Sequence, residues 1–134
     1  MFKMKINTIE DVKVVEKKWG REIWMANTDL YCGKKLILKK GKRCSYHFHK
    51  NKDETFYIDS GKVLMEIEGE KRIMGFGESV LIKPGEKHRF SGLENSTIIE
   101  ISTHHEDSDS YRVEGELSGD MPVEFFEEYG RGIK

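Results

Sequence analysis

The chain has 134 residues, 23 Lys and Arg against 24 Asp and Glu, and a formal net charge of −1. That length suits one domain able to bury a core, and so even a charge balance gives no electrostatic footprint for nucleic acid or an anionic membrane. No apolar run reaches the 18 residues a membrane span needs, the first residues lack the apolar centre of a signal peptide, and Cys32 and Cys44 are too few for a disulfide framework, so the expectation is a reduced, cytoplasmic protein without nucleic-acid or membrane partners.

In chain order, Thr8 and Asp11 suit a helix start and predict a short helix over "TIEDVKVVEKK", followed by a strand at "WGREIWM". From 30 to 103 no segment carries a helical period. "KKLILKKG", "ETFYIDSG", "KVLMEIEGEKRIMGFG", "ESVLIKPG" and "STIIEIS" are short alternating runs that end in Gly, Pro-Gly, Asp or Ser. Such spacing predicts an antiparallel sandwich or barrel. Within it, Glu68-Gly69-Glu70 marks a hairpin turn and Pro84-Gly85 a second turn. "THHEDSDSYRVEGELSGD" predicts a polar surface loop. Its "HHEDSDS" reads as solvated rather than as a second metal site, because adjacent residues do not converge. "PVEFFEEYGRG" predicts a short C-terminal helix with Pro122 at its first turn.

The stretch "GKRCSYHFHKNKDETFYIDSG", residues 41–61, carries the chemistry. In a strand, residues i and i+2 leave the same face, so His47 and His49 project together. Glu54 follows a bend at "KNKD" and can return on the neighbouring strand. His88, just past the Pro-Gly turn, offers a fourth ligand. An H-x-H pair alone is usually incidental. Three imidazoles and one carboxylate, however, form a donor set for a first-row divalent ion, and they leave coordination positions open for water or substrate.

The full spacing resembles the two motifs of the cupin superfamily. The first runs from Gly41 through His47, His49 and Glu54 to Gly61; the second runs from Gly77 through Gly85 to His88, with Lys83 where a proline is common and Gly92 where an asparagine is common. The resemblance covers about residues 30–103. It implies an all-β fold: one cupin jelly-roll β-barrel over 1–134, with short N- and C-terminal extensions and one divalent transition metal (Zn, Mn, Fe, Co or Ni) held inside. More narrowly, Trp19-Gly20, the lysines at 34 and 35, Ile98 to Ser102 and the acidic stretch ending in Tyr129-Gly130-Arg131 are similar to the cupin domain of type II phosphomannose isomerases and to stand-alone lyxose isomerase-like cupins. The phosphomannose isomerases usually have Gln where His47 stands, which places this chain nearer the free-sugar isomerases.

That resemblance implies a metal-dependent aldose–ketose isomerase acting through an enediol on a small sugar or sugar phosphate, such as lyxose or mannose 6-phosphate. Candidate catalytic groups are Glu100, which interrupts the apolar run "IIEI"; Lys34 or Lys35 on the strand feeding the motif, with Lys35 the candidate; Lys52 between the ligands; and, by resemblance, Arg131 from the tail. Two other classes use the same ligands: a cupin dioxygenase, which needs a largely apolar pocket, and a non-catalytic sugar-binding cupin, which needs no base beside the metal. Phe56, Ile58, Val63, Met65 and Phe90 are predicted to face inward. Leu64, Val80 and Ile82 are predicted to face outward, and with Trp19, Trp24, Phe125 and Phe126 they suggest a homodimer, with strand exchange through "VVEKKWGREIWM".

Overall fold

Over residues 32–38, Cys32, Lys34, Leu36 and Leu38 are buried, while Gly33, Lys35 and Ile37 between them are only half-buried. That period of two, repeated from strand to strand, separates an inner from an outer face. A computed structural model describes residues 1–130; Arg131 lies outside the described residues. The strands in chain order are β1 (Lys13–Lys17), β2 (Gly20–Asn27), β3 (Cys32–Leu38), β4 (Lys42–Arg43), β5 (His47–His49), β6 (Glu54–Ser60), β7 (Lys62–Ile67) and β8 (Glu70–Gly75). They continue with β9 (Ser79–Ile82), β10 (His88–Gly92), β11 (Ser96–Ser102), β12 (Ser110–Arg112) and β13 (Gly119–Asp120), and the helix α1 (Val123–Tyr129) ends the described chain.

One sheet runs β1-β2-β3-β11-β6-β9. In the other, β8 pairs with β7 and β7 with β10; the far edge of β10 meets β5 near one end and β4 near the other, and β12 and β13 extend these. All pairs are antiparallel, and the sheets face each other as a jelly roll, the all-β barrel expected. Phe56, Ile58, Val63, Met65 and Phe90 all lie in the core, as the alternation predicts. The β7–β8 turn falls at Glu68 and Gly69, with φ of 47° and 83°, the left-handed pair of a type I′ hairpin.

The structure corrects several expectations. Residues 8–18 are not helical. Thr8 and Asp11 do cap each other, with the Thr8 amide donating to Asp11 Oδ2 at 2.9 Å, but they close a single turn. The β-branched Val14 and Val15 then pair with Ile23 and Glu22 in a hairpin, so tertiary pairing overrides local propensity. This hairpin pairs through β2 with β3. Trp19 is not a surface residue: it enters the core edge-on to Phe90, ring centroids 5.0 Å apart. Its neighbour Gly20 allows this, since a Cβ there would sit 1.8 Å from the Ile37 carbonyl oxygen.

Leu64 does point away from the barrel interior but is fully buried. Phe125, Phe126 and Tyr129 of α1 cover it together with Leu93 and Met121. On β9 the predicted faces are reversed: Ile82 is in the core and Val80 packs on it, whereas Leu81 is exposed. The polar stretch 103–120 is not a free loop. It contributes β12 and β13 to the second sheet and buries His105 and Asp109. Among the described residues no helix is long and apolar enough to cross a membrane.

Candidate metal centre and its charge network

His47 and His49 on β5 and His88 on β10 turn their rings to one point at the mouth of the barrel. His47 and His88 are register partners across the β5–β10 pair, and the ligand atoms of all three lie within 4.8 Å of one another. Glu54, the first residue of β6, brings its carboxylate alongside, with Oε2 3.3 Å from His49 Nε2 and Oε1 3.9 Å from His88 Nε2. All four predicted ligands are thus brought together.

The ring orientations are fixed from behind. Nδ1 of His47 meets the Ser45 carbonyl at 2.7 Å, that of His88 the Glu86 carbonyl at 2.9 Å, and that of His49 the Asp109 carbonyl at 3.2 Å. A carbonyl only accepts, so each Nδ1 carries the hydrogen and each Nε2 presents a lone pair. Backbone anchoring of this kind is how proteins aim metal-binding imidazoles. Burial, helped by His88, holds His47 down to about 3; burial with Lys52 holds His49 down to about 2; burial holds His88 down to about 4. All three are therefore neutral and competent as ligands at pH 7.

The donor set asks for a cation. His88 Nε2 and Glu54 Oε2 are buried without a hydrogen-bond partner, and the lone pair of His49 Nε2 faces an oxygen of Glu54. Burial, and then Glu100, pushes the Glu54 carboxyl up to about 8. Two acceptors face to face in a dry site repel unless a proton or a metal ion lies between them. Three imidazoles and one carboxylate fit a divalent transition ion and do not discriminate among Zn, Mn, Fe, Co and Ni.

His47, His49 and Glu54 share a cavity of about 230 Å³ with a charged wall. Glu100 and Lys52 both line it, buried, with Lys52 Nζ 3.0 Å from Glu100 Oε2; Ser102 Oγ donates to the same oxygen at 3.1 Å. Burial alone would raise Glu100, but Lys52 and Lys34 outweigh it and hold the carboxyl below its usual range. Burial would lower Lys52, but Glu100 and Glu54 outweigh it and hold the amine above its usual range. The pair is therefore ionised. Trp19, Leu36, Phe56 and Phe90 add an apolar part to the lining.

Lys35, predicted as a candidate base, lies on the outer face of β3, opposite Ile23 and Ile99; its neighbour Lys34 is the buried one. Lys34 donates to Glu22 Oε1 at 3.3 Å and sits 4.1 Å from the centre of the Trp24 ring. The sequence reading also missed His105 and Asp109. The Asp109 carboxylate accepts the backbone N–H groups of Lys50, Asn51 and Lys52 at 2.9–3.2 Å, and so moulds the loop between His49 and Glu54. The one signal for it was its position in an acidic run, which is ordinarily a solvated feature.

Among known proteins, the chain is 32% identical over 109 residues to a D-lyxose/D-mannose isomerase of Thermosediminibacter oceani, covering 60% of each chain. It is 29% identical over 117 residues to a mannose-1-phosphate guanylyltransferase of Escherichia coli, covering 87% of this chain and 23% of that protein. It therefore spans less than two-thirds of either relative's length. Of solved structures, KdgF from Halomonas sp. superposes with a TM-score of 0.62 at 24% identity, over 66% of this chain and 81% of that one. Residues 35–106, more than half of the 134, match the family described as the Cupin domain, and the chain belongs to that family.

Proposed function

We propose that the protein is a metal-dependent aldose–ketose isomerase acting on a small sugar or sugar phosphate. The observation that carries the reading is the ionised Lys52–Glu100 pair lining the same cavity as His47, His49 and Glu54. A divalent ion held by His47, His49, Glu54 and His88 would supply Lewis acidity at the sugar's carbonyl and adjacent hydroxyl oxygens.

The chain's own groups account for the proton. Isomerisation moves one proton from C2 to C1 and, through the enediol, one from O2 to O1. Glu100 is held as a carboxylate and suits both half-steps, as base and then as conjugate acid. Its Oε2 is tied to Lys52 and Ser102, while among the described residues Oε1 carries no hydrogen bond and is the atom open to the proton. The Lys52 ammonium donates toward oxygen in the cavity, where negative charge grows as the C2 proton leaves. Trp19 and Phe90 offer an apolar surface for the carbon-bound face of a sugar.

A wall bearing Lys34, Lys52, Glu100 and His105 disfavours the largely apolar pocket of a dioxygenase, and a carboxylate beside the ligands disfavours a purely binding role. The relatives named as D-lyxose/D-mannose isomerase and D-lyxose ketol-isomerase support the same reaction class. The test is elemental analysis of purified protein, then a panel of aldoses and aldose phosphates in D₂O with that metal restored. Solvent deuterium should enter C2 of one of them, and should fail to do so in Glu100→Gln. Oxygen consumption with an aromatic or thiol substrate, without sugar turnover, would reject the reading.

A further inference from the structure

The amine of Lys52 does not rest on Glu100 alone. His105 Nδ1 lies 2.9 Å from Lys52 Nζ, and on the other side of the same ring Nε2 lies 2.9 Å from Asp107 Oδ1. An ammonium only donates, so Nδ1 must hold a lone pair and Nε2 must hold the hydrogen, which it gives to Asp107. The two contacts together fix one neutral tautomer.

The ring is held on every side. The Asn27 side chain grips the His105 backbone twice, its Nδ2 donating to the carbonyl at 3.1 Å and its Oδ1 accepting the amide at 3.0 Å. Trp24 meets the imidazole edge-on, ring centroids 4.9 Å apart. His105 is 8% exposed, although it belongs to a segment rich in charged residues. A solvated loop histidine has no need of a backbone clamp, an aromatic wall and a carboxylate behind it.

We propose that His105, locked by Asp107, is a positioning residue that aims the Lys52 ammonium into the metal-bearing cavity. The ammonium has three hydrogens. One goes to Glu100 Oε2 at 3.0 Å and one to His105; Glu54 Oε2 stands 3.6 Å away, past hydrogen-bond range. Without the imidazole acceptor, Lys52 would be free to swing and bridge Glu54 and Glu100, two carboxylates that both attract it. His105 opposes that collapse and keeps one N–H free for a substrate oxygen. Its action passes through Lys52, so it is not itself a catalytic residue, and its catalytic consequence rests on the isomerase reading above.

Two readouts separate the proposal from that reading. The first needs no substrate: the 1H–15N correlation of the Lys52 ammonium in metal-loaded protein with 15N-labelled lysine, assigned by its loss in Lys52→Met. A restrained, hydrogen-bonded ammonium exchanges slowly with water and gives a signal. The signal should be present in wild type, retained in His105→Asn, whose amide oxygen falls near the place of Nδ1, and lost in His105→Leu. It should weaken in Asp107→Ala, where the exposed carboxylate is removed and the tautomer unlocked; that variant covers the case in which His105→Leu does not fold. The second is kinetic, with whichever aldose the panel identifies: kcat should fall about 10-fold or more in His105→Leu with KM within about threefold, and His105→Asn should restore most of it. A wild-type Lys52 signal that is absent, or one unchanged in both His105→Leu and Asp107→Ala, overturns the proposal. A wild-type protein that moves no deuterium into any sugar overturns the isomerase reading and leaves the ammonium signal to decide on His105.

Discussion

Replacing Asp109 by Ala is expected to weaken metal binding although Asp109 is not a ligand. Its buried carboxylate accepts three consecutive backbone N–H groups, those of Lys50, Asn51 and Lys52, and its carbonyl receives His49 Nδ1. Hydrogen bonds to a charged acceptor contribute about 1.5–3 kcal/mol each. Lys50 and Asn51 lie at the exposed edge of the loop and recover part of theirs from water, whereas Lys52 is buried. The net loss should be about 3 kcal/mol, or a fall in Tm of about 10 °C for a domain of this size. The metal consequence is separate. The loop of four residues, 50–53, joins His49 to Glu54, so loosening it frees two predicted ligands at once, and second-sphere losses of this kind cost about 10–100-fold in affinity. Competition for Zn²⁺ against a chromophoric chelator, on protein shown by circular dichroism to be folded, measures the effect. Asp109→Asn, which keeps one acceptor oxygen, should fall between wild type and Asp109→Ala. Unchanged affinity in folded Asp109→Ala would show that the loop does not need its anchor and would refute the reasoning.

The double variant His47→Ala/His49→Ala should lose stoichiometric metal while keeping the β-sheet spectrum of the barrel; metal retained at one per chain would place the site elsewhere. Leu64→Ala should destabilise by about 3 kcal/mol, as buried Leu truncations do, because Leu64 seats α1 on the barrel; urea denaturation reads it, and a change under about 1 kcal/mol would mean α1 is not docked there. In metal-free protein the three imidazoles have folded pKa values of about 3, 2 and 4, below the ordinary 6.5, so the unfolded chain binds more protons and stability falls as pH drops below 6.5. Glu54, raised from 4.5 to about 8, acts the other way between those values and erodes stability as pH rises. Three groups outweigh one below 6.5, and Glu54 alone acts above it, so the site's contribution should peak near pH 6.5. Urea midpoints of chelator-treated protein at pH 5, 6.5 and 8 check this, and a steady rise from 6.5 down to 5 would contradict it. A homodimer is expected through the outer face of the β1–β9 sheet, where Ile101 and Leu81 both flank Thr55 and remain 59% and 49% exposed. Light scattering should give a doubled mass that halves in Ile101→Lys/Leu81→Lys, and a wild-type monomer at micromolar concentration would rule the dimer out.

The convergence of His47, His49 and Glu54 was legible because it is short-range: a period of two places His47 and His49 on one side, and one turn returns Glu54. The β7–β8 hairpin at Glu68-Gly69 and the helix after Pro122 were legible for the same local reason. What failed depends on distant pairing. Lys34 and Lys35 are adjacent and alike, and Leu36, Ile37 and Leu38 beside them are all apolar, so the run does not reveal which parity faces inward. The register with β11, where Glu100 pairs with Lys34 and Ile99 with Lys35, decides it. Leu64 was read as surface because nothing near it in sequence announces that a helix some 60 residues later will cover it. His105 and Asp109 sit among charges that usually mark solvent. Their burial follows from Asn27, Lys52 and the 50–52 loop, all far away along the chain.

The three imidazoles differ in when they become ready. His47 is braced by the carbonyl two residues before it, and so is His88; each brace forms as soon as its own strand does. His49 is braced by a carbonyl 60 residues downstream. During synthesis from the N-terminus, a nascent chain ending near residue 102 could already hold the first two rings in place, yet the third would have nothing behind it. A site that needs all three rings would therefore be complete only once the segment around Asp109 has emerged.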